Sequence, residues 1–169
     1  MKFIFSNVKD FVKNINWPSF LILVLGYVFL SSLFVFFQTN TVLEFSFLFL
    51  TSVLVGAFFF SLYAAVVYVT ASLAGYKNKG FKQVMLSFFT IIILYYYLLL
   101  LNEFILYLAN FSEEYVLFSS LAILIIGTIH ALYVGVKAFK LVYKTSFFKS
   151  LLFVISPLLF FFFSRDFAP

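Results

Sequence analysis

Residues 84–109 read VMLSFFTIIILYYYLLLLNEFILYLA, and this stretch decides the fold. Glu103 is its only charged residue, and the run exceeds the roughly 20 apolar residues that a helix needs to cross about 30 Å of hydrocarbon. Of the 169 residues in the chain, 65% are hydrophobic and 10% are charged, whereas an average soluble domain is about 25% charged. Because so few polar groups cannot cover a globule in water, the apolar surplus must face lipid.

Four further apolar runs flank this stretch, two on each side. Together they predict an all-α, polytopic integral membrane protein whose transmembrane domain covers residues 18–169. The predicted spans are 18–37, 45–74, 84–109, 115–136 and 148–164. The fifth span is the shortest of the set.

The N-terminal segment 1–17 has a different pattern, in which apolar and polar residues alternate with helical spacing. Lys9 and Lys13 lie opposite an apolar face, and Trp17 follows at the position where aromatic rings favour the headgroup region. The pattern predicts an amphipathic helix that lies in the membrane interface. Its apolar face consists of Ile4, Val8, Phe11, Val12 and Ile15.

The basic residues set the orientation of the predicted spans. All ten lysines fall on one side of a five-span topology, and only Arg165 falls on the other. Basic loops stay cytoplasmic, so the N-terminus is expected in the cytoplasm and the C-terminus outside. Losing a span would break this alternation, which favours five. The expected location is a bacterial or archaeal cell membrane, with an organellar inner membrane as the alternative.

The same lysines are candidates for contact with the lipid bilayer, since anionic headgroups attract clustered basic residues. The alternative is that they only record the topology. The candidates for headgroup contact are Lys9, Lys13, Lys77, Lys79, Lys82, Lys137, Lys140, Lys144 and Lys149. Because they form short clusters between apolar runs, the net charge of +5 does not indicate a nucleic-acid partner.

Residues that carry catalytic or metal chemistry are sparse. The chain has no cysteine and one histidine, so neither a zinc site nor a Ser-His-Asp triad is expected. Gly75 and Gly80 bracket a short basic segment that indicates a turn rather than a phosphate-binding loop. The sequence therefore predicts a protein that is not an enzyme and holds no cofactor or metal.

Two ionisable residues lie inside predicted spans, where such residues are functional hypotheses by default. They are Glu103, which follows Asn102 in the third span, and His130 in the fourth. One interpretation joins the two in a proton or ion path. The other places Glu103 near the outer interface and His130 neutral and hydrogen-bonded within the bundle.

Small residues recur every four positions in two spans. Gly127, Ala131 and Gly135 form one such stripe in the fourth span, and a second runs along the second span through Ala57, Ser61 and Ala65. Small residues at this spacing let helix backbones approach closely in lipid. The stripes predict that these two spans pack within the bundle or that one of them meets a partner.

The layout resembles the Yip-type, or Ypt/Rab-interacting, family of multipass membrane proteins. Three features carry the resemblance: a basic N-terminal segment ending in Trp17-Pro18, a second span ending in ASLAG at 71–75, and a closing pair of segments. That pair reads IGTIHALYVG at 126–135 and KTSFFKSL at 144–151. The resemblance implies five spans, a cytosolic N-terminus and a role in membrane organisation or trafficking. A GTPase partner does not follow from the resemblance for this short form, and the resemblance assigns no residue a chemical role.

Three functional hypotheses follow. The first is a Yip-like membrane-organising or interaction protein that binds other membrane proteins or a second copy of itself. The second is a small accessory subunit of a larger membrane complex, for example a respiratory or transport complex, which exposed small-residue grooves would favour. The third is a transporter or channel component built around Glu103 and His130, which a cavity containing both would favour.

Overall fold

The computed structural model describes residues 8–39, 41–76, 80–109 and 112–164. Within these ranges the protein is all-α, with six helices and no strand, which confirms the predicted fold class. The helices are α1 (Val8–Asn14), α2 (Trp17–Thr39), α3 (Val42–Leu73), α4 (Phe81–Leu108), α5 (Glu113–Tyr143) and α6 (Phe147–Ser164).

Four of the described helices, α2 to α5, are long and apolar enough to cross a membrane. Each corresponds to one of the first four predicted spans, and their length and composition are compatible with a polytopic membrane fold. The helix α3 ends in a Schellman motif, in which the amide of Tyr76 donates to Ala71 O and that of Gly75 to Ser72 O. Gly75 takes the left-handed conformation that this motif requires, with φ of 83°.

The predicted count of five spans is corrected to four in the part of the chain that the structure describes. The helix α6 lies at the predicted fifth span, but its described apolar stretch, Phe147–Leu159, is too short. The thirteen described residues of that stretch cover about 20 Å at 1.5 Å each, short of about 30 Å of hydrocarbon, while α6 itself extends to Ser164. Ending the crossings after α5 also leaves every lysine on one side, so the lysine pattern does not require a fifth span.

The helix α5 extends seven residues beyond the predicted end of the fourth span, so Lys137 and Lys140 lie on the helix and not in a connecting loop. Lys144 then reverses the chain with a φ of 52°, an uncommon conformation for a residue with a side chain. Ser146 caps α6, because its hydroxyl accepts the amide hydrogen of Lys149 at 3.4 Å. Continuing a helix with lysines near its end is favourable, since the cations lie at the negative end of the helix dipole.

The chain divides into two units of internal contacts. The first contains Met1–Asn16, Phe59–Phe88 and Leu132–Pro169, and it holds all ten lysines, so we call it the lysine-containing unit. The second contains Trp17–Phe58 and Phe89–Ala131 and has neither lysine nor arginine, so we call it the lysine-free unit. The helices α3, α4 and α5 contribute residues to both.

The lysine-containing unit has a core of β-branched and aromatic side chains. Val67, Val84 and Val134 are fully buried, as is the ring of Phe139. That ring stacks on Phe153 with centroids 5.0 Å apart and an interplanar angle of 19°. The five residues come from four helices, α3, α4, α5 and α6, which therefore share this core.

Pro157 lies inside α6 and has no amide hydrogen to donate to the carbonyl of Phe153, four residues earlier. The hydroxyl of Ser156 donates to that carbonyl at 2.8 Å. The hydroxyl of Tyr63, on α3, donates to the neighbouring carbonyl of Val154. A proline within an apolar helix is tolerated when side chains satisfy the backbone group that it frees, and the Ser156 hydroxyl does so at Phe153 O.

The lysine-free unit is organised around the pair α2 and α4. The hydroxyl of Tyr97 donates to Leu23 O at 2.8 Å, and the Tyr97 ring meets that of Tyr27 edge to face at 5.6 Å. Further along the same pair, the ring of Phe34 lies 5.8 Å from that of Phe104. Aromatic contacts therefore recur along these two helices.

The helix α1 lies within the predicted N-terminal segment 1–17. It covers Val8–Asn14, and residues 1–7, which include Ile4, lie outside the described residues. Val8 and Val12 are only 7% and 5% exposed, so they are buried within the lysine-containing unit. Two residues of the predicted apolar face therefore pack against protein, and the location of α1 in the membrane interface stays a prediction.

Candidate interaction surfaces

The stripe of small residues on α5 is buried. Gly127, Ala131 and Gly135 all have little exposed surface. A β-carbon added at Gly127 would lie 2.6 Å from Cγ of Tyr95, on α4. It would also lie 2.8 Å from Cβ of Tyr95, an atom that moves only with its backbone, so only glycine allows α4 and α5 to approach this closely in the lysine-free unit.

Gly135 has the same role in the lysine-containing unit. A β-carbon there would lie 2.8 Å from Cδ2 of Phe88 on α4 and 3.3 Å from Cγ1 of Val154 on α6. The α5 stripe is therefore filled by side chains of the protein itself.

The stripe of small residues on α3 is not buried, unlike the stripe on α5. Ala57, Ser61 and Ala65 are all exposed, and a β-carbon at the neighbouring Gly56 would meet no atom within 4 Å. Only 6% of the apolar stretch of α3 is buried, against 56% for α4. The second stripe is thus an open surface in this chain.

His130 is a buried residue within the lysine-free unit, with 6% of its surface exposed. Its Nδ1 lies 3.1 Å from the hydroxyl of Tyr95, and the two rings meet edge to face. The tyrosine holds the imidazole between α4 and α5, next to the close approach at Gly127. This environment matches the interpretation in which His130 is hydrogen-bonded within the bundle.

Glu103 is exposed, whereas its neighbour Asn102 is half-buried and donates to the hydroxyl of Ser119 at 2.9 Å. The two residues therefore differ: the Asn102 amide links α4 to α5, whereas Glu103 is exposed. No described hydrogen bond joins Glu103 to His130, and neither residue lines the groove of about 450 Å³ in the same unit.

The described lysines of the candidate headgroup set are all exposed, and all belong to the lysine-containing unit. They are Lys9, Lys13, Lys82, Lys137, Lys140, Lys144 and Lys149. Lys77 and Lys79 lie outside the described residues. The ammonium of Lys137 lies 5.0 Å from the centre of the Tyr133 ring, so its charge rests on an aromatic face while its stem follows the helix.

Among the residues that the structure describes, no three His, Asp or Glu side chains are grouped closely enough to hold a metal ion. Comparison with family models, curated proteins and solved structures gives no match. The functional inference therefore rests on the surfaces of this chain.

Sequence reasoning missed the hydroxyl pair at Pro157. The serine that precedes the proline was a usable signal, because a hydroxyl one residue before a proline can reach the carbonyl that the proline leaves unpaired. Tyr63 carried no such signal, since its partner is 91 residues away in sequence.

Proposed function

We propose that this protein is a non-enzymatic, Yip-like membrane protein that binds another transmembrane helix along α3. The observation that carries the proposal is the contrast between the two stripes of small residues. On α5 the stripe is filled from within the chain, whereas on α3 Ala57, Ser61 and Ala65 are exposed. Because lipid tails are as apolar as leucine, helices associate in a bilayer chiefly where small residues permit close backbone contact.

The orientation that we propose places the lysine-containing unit at the cytoplasmic surface. Its support is that grouping residues by contact alone gathers all ten lysines into one unit. Basic residues near the membrane remain cytoplasmic and are attracted to anionic headgroups. The expectation of an outside C-terminus depended on a fifth crossing and is not carried further.

The test uses the absence of cysteine from the chain. Ser61→Cys introduces a single thiol on the α3 stripe, to which a benzophenone maleimide is attached in native membranes before illumination. Ser52→Cys is the matched control, because Ser52 is also exposed and lies nine residues away, about two and a half turns, on the opposite side of α3. We expect one dominant protein adduct from position 61 and none from position 52.

Two further substitutions make the result specific. Ala57→Leu or Ala65→Leu in the Ser61→Cys background fills the stripe, so the adduct should disappear while the protein stays folded. Equal adducts from positions 61 and 52, or an adduct that survives both leucine substitutions, would show that α3 meets lipid and other proteins without preference. The proposal would then be wrong.

A second candidate function is an accessory subunit of a larger membrane complex, which the exposed α3 stripe also favours. The identity of the cross-linked protein distinguishes the two candidate functions. A cross-link to a second copy of this chain supports an autonomous homo-oligomer. A cross-link to one different membrane protein, recovered with a stoichiometric set of partners in mild detergent, supports the accessory subunit. The transporter hypothesis gains no support, because Glu103 is exposed and His130 is held by Tyr95.

A further inference from the structure

The lysine-free unit contains a groove of about 450 Å³ between α2 and α4. Four side chains between Leu30 and Phe37 form one wall, and five between Tyr97 and Phe104 form the other. All nine lining residues are Leu, Phe or Tyr. The volume falls in the range of about 300–1,000 Å³ that is typical of small-molecule sites.

Contacts within the protein, rather than contacts with a bound molecule, hold the walls of the groove in place. The ring of Phe34 meets Phe104 and Tyr107 edge to face, with both centroids 5.8 Å away. At the other end, the hydroxyl of Tyr97 is bound to Leu23 O, so its ring is fixed beside α2. The groove is therefore formed by the fold of the unit itself.

Its depth matches one leaflet of a bilayer. Phe37 lies two residues before the end of α2, and Leu30 lies nine residues before it. At 1.5 Å per residue the groove extends from about 3 Å to about 14 Å from the helix end. Half of a hydrocarbon core is about 15 Å thick, so the groove lies at the depth of lipid tails.

The lining residues disfavour two possible occupants of the groove, water and a second helix. Water needs two to four polar partners, and the one polar group in the lining, the Tyr97 hydroxyl, already donates to Leu23 O. A second helix needs small residues for close approach, and none of the lining residues is Gly, Ala or Ser. A narrow, flexible, apolar chain needs neither polar partners nor small residues in the lining.

The charged residues of the lysine-free unit favour one class of lipid headgroup. The lysine-free unit has no cationic side chain, and its described carboxylates Glu103 and Glu114 are exposed. An anionic headgroup would find no partner there, whereas an ammonium group is attracted to the carboxylates. We propose that the groove between α2 and α4 binds an acyl chain of a zwitterionic, amine-bearing phospholipid.

The test is photo-labelling of the full chain in phosphatidylcholine nanodiscs that contain phosphatidylethanolamine with a diazirine on one acyl chain. After illumination, labelled peptides are mapped by mass spectrometry. We expect labels concentrated within 30–37 and 97–104 rather than on the equally apolar exposed face of α3. The same diazirine on phosphatidylglycerol should label these two segments several-fold less.

Substitutions then test the groove itself. Leu101→Trp and Leu30→Trp fill it from opposite walls, and each should lower labelling about tenfold, the change that corresponds to about 1.4 kcal/mol of binding. Leu121→Trp is the matched control, because Leu121 is similarly exposed in the same unit but does not line the groove. Two filling variants on different helices guard against one that fails to fold.

Three results would overturn the proposal. They are labelling spread evenly over all exposed apolar faces, labelling unchanged in both filling variants, and equal labelling of the two segments by the phosphatidylglycerol probe. The filling variants leave Ala57, Ser61 and Ala65 intact, so the α3 adduct should persist in them. Failure of the lipid site is therefore distinguishable from failure of the helix-binding function.

Discussion

The lysine-containing unit and the lysine-free unit are built from similar apolar residues, yet they differ in how completely those residues are buried. Val67, Val84, Val134 and Phe139 are fully buried in the first, whereas Ile91 is the apolar side chain buried to that degree in the described part of the second. Most of the large exposed hydrophobic side chains belong to the lysine-free unit.

This difference follows from the solvent. In lipid an exposed leucine costs nothing, so burial depends on close backbone approach and satisfied polar groups rather than on hydrophobicity. The lysine-containing unit has Gly135 against Phe88, and hydroxyls at the carbonyls near Pro157. The lysine-free unit has close approaches at Gly127 and Gly26, and it leaves a groove open between α2 and α4. The three substitutions below, taken from the largest expected effect to the smallest, test whether the units differ in this way.

Gly135→Leu should have the largest effect. Its side chain would be forced against Cδ2 of Phe88 and Cγ1 of Val154, which are 2.8 and 3.3 Å from the β-carbon position. Overpacking of a dense core typically costs about 1–3 kcal/mol, and we expect the upper end of that range for a whole leucine side chain. Thermal unfolding of the purified protein in one mild detergent measures the loss.

Gly56→Leu is the control for this substitution, because a β-carbon at Gly56 meets no atom within 4 Å. It should change stability by less than about 0.5 kcal/mol. Equal destabilisation by the two variants would contradict the difference in packing between the units.

Tyr63→Phe should have an intermediate effect. The ring stays stacked on Phe88, with centroids 5.1 Å apart, but the hydroxyl that donates to Val154 O is lost. Hydrogen bonds between membrane helices contribute about 0.6 kcal/mol on average and up to about 1.7, and a carbonyl near a proline favours the higher end. Tyr107→Phe, at an exposed ring of the lysine-free unit, should leave the unfolding temperature unchanged. If both substitutions are neutral, the hydroxyl does not support the helix at Pro157.

Lys144→Gly should have the smallest effect, and its sign is opposite. Lys144 adopts φ of 52°, a conformation that costs a residue with a side chain about 1–2 kcal/mol and glycine almost nothing. Because glycine also loses more entropy on folding, we expect a net stabilisation of about 0.5 kcal/mol. Lys140→Gly removes the same charge from within α5 and should destabilise by about 1 kcal/mol. If both substitutions stabilise the protein, or both destabilise it, the backbone conformation of Lys144 does not limit the stability of this turn.

Much of the fold was predictable because hydrogen bonding in lipid leaves few solutions. Long apolar runs must form helices, and the lysine clusters divide those runs, so α2 to α5 were found close to their observed bounds. The ends were harder to predict. The helix α5 continues past Val136 because lysines are favourable near a helix C-terminus, although they also resemble a loop. The predicted fifth span is not among the four that the described residues support, because the described apolar stretch of α6 ends at Leu159.

The candidate surfaces were only partly predictable. Both stripes of small residues were visible in the sequence, but nothing in their spacing distinguishes the buried Gly127 stripe from the exposed Ser61 stripe. His130 was recognised as unusual, while its partner Tyr95 was one of several tyrosines at similar depth. The groove left no sequence pattern, because leucine and phenylalanine occupy nearly every face of α2 and α4.

The sequence by itself determined that this protein is helical, that its helices are apolar and long enough for a membrane and that its lysines fall in short clusters between apolar runs, because these properties depend on composition and on the order of apolar and basic residues. Only the tertiary structure decided that Val8 and Val12 face protein, that Gly135 meets Phe88, and that Ser61 remains exposed. The physical reason is that lipid and a protein interior are equally apolar. Hydrophobicity therefore does not distinguish the two, and only the approach of one backbone to another does.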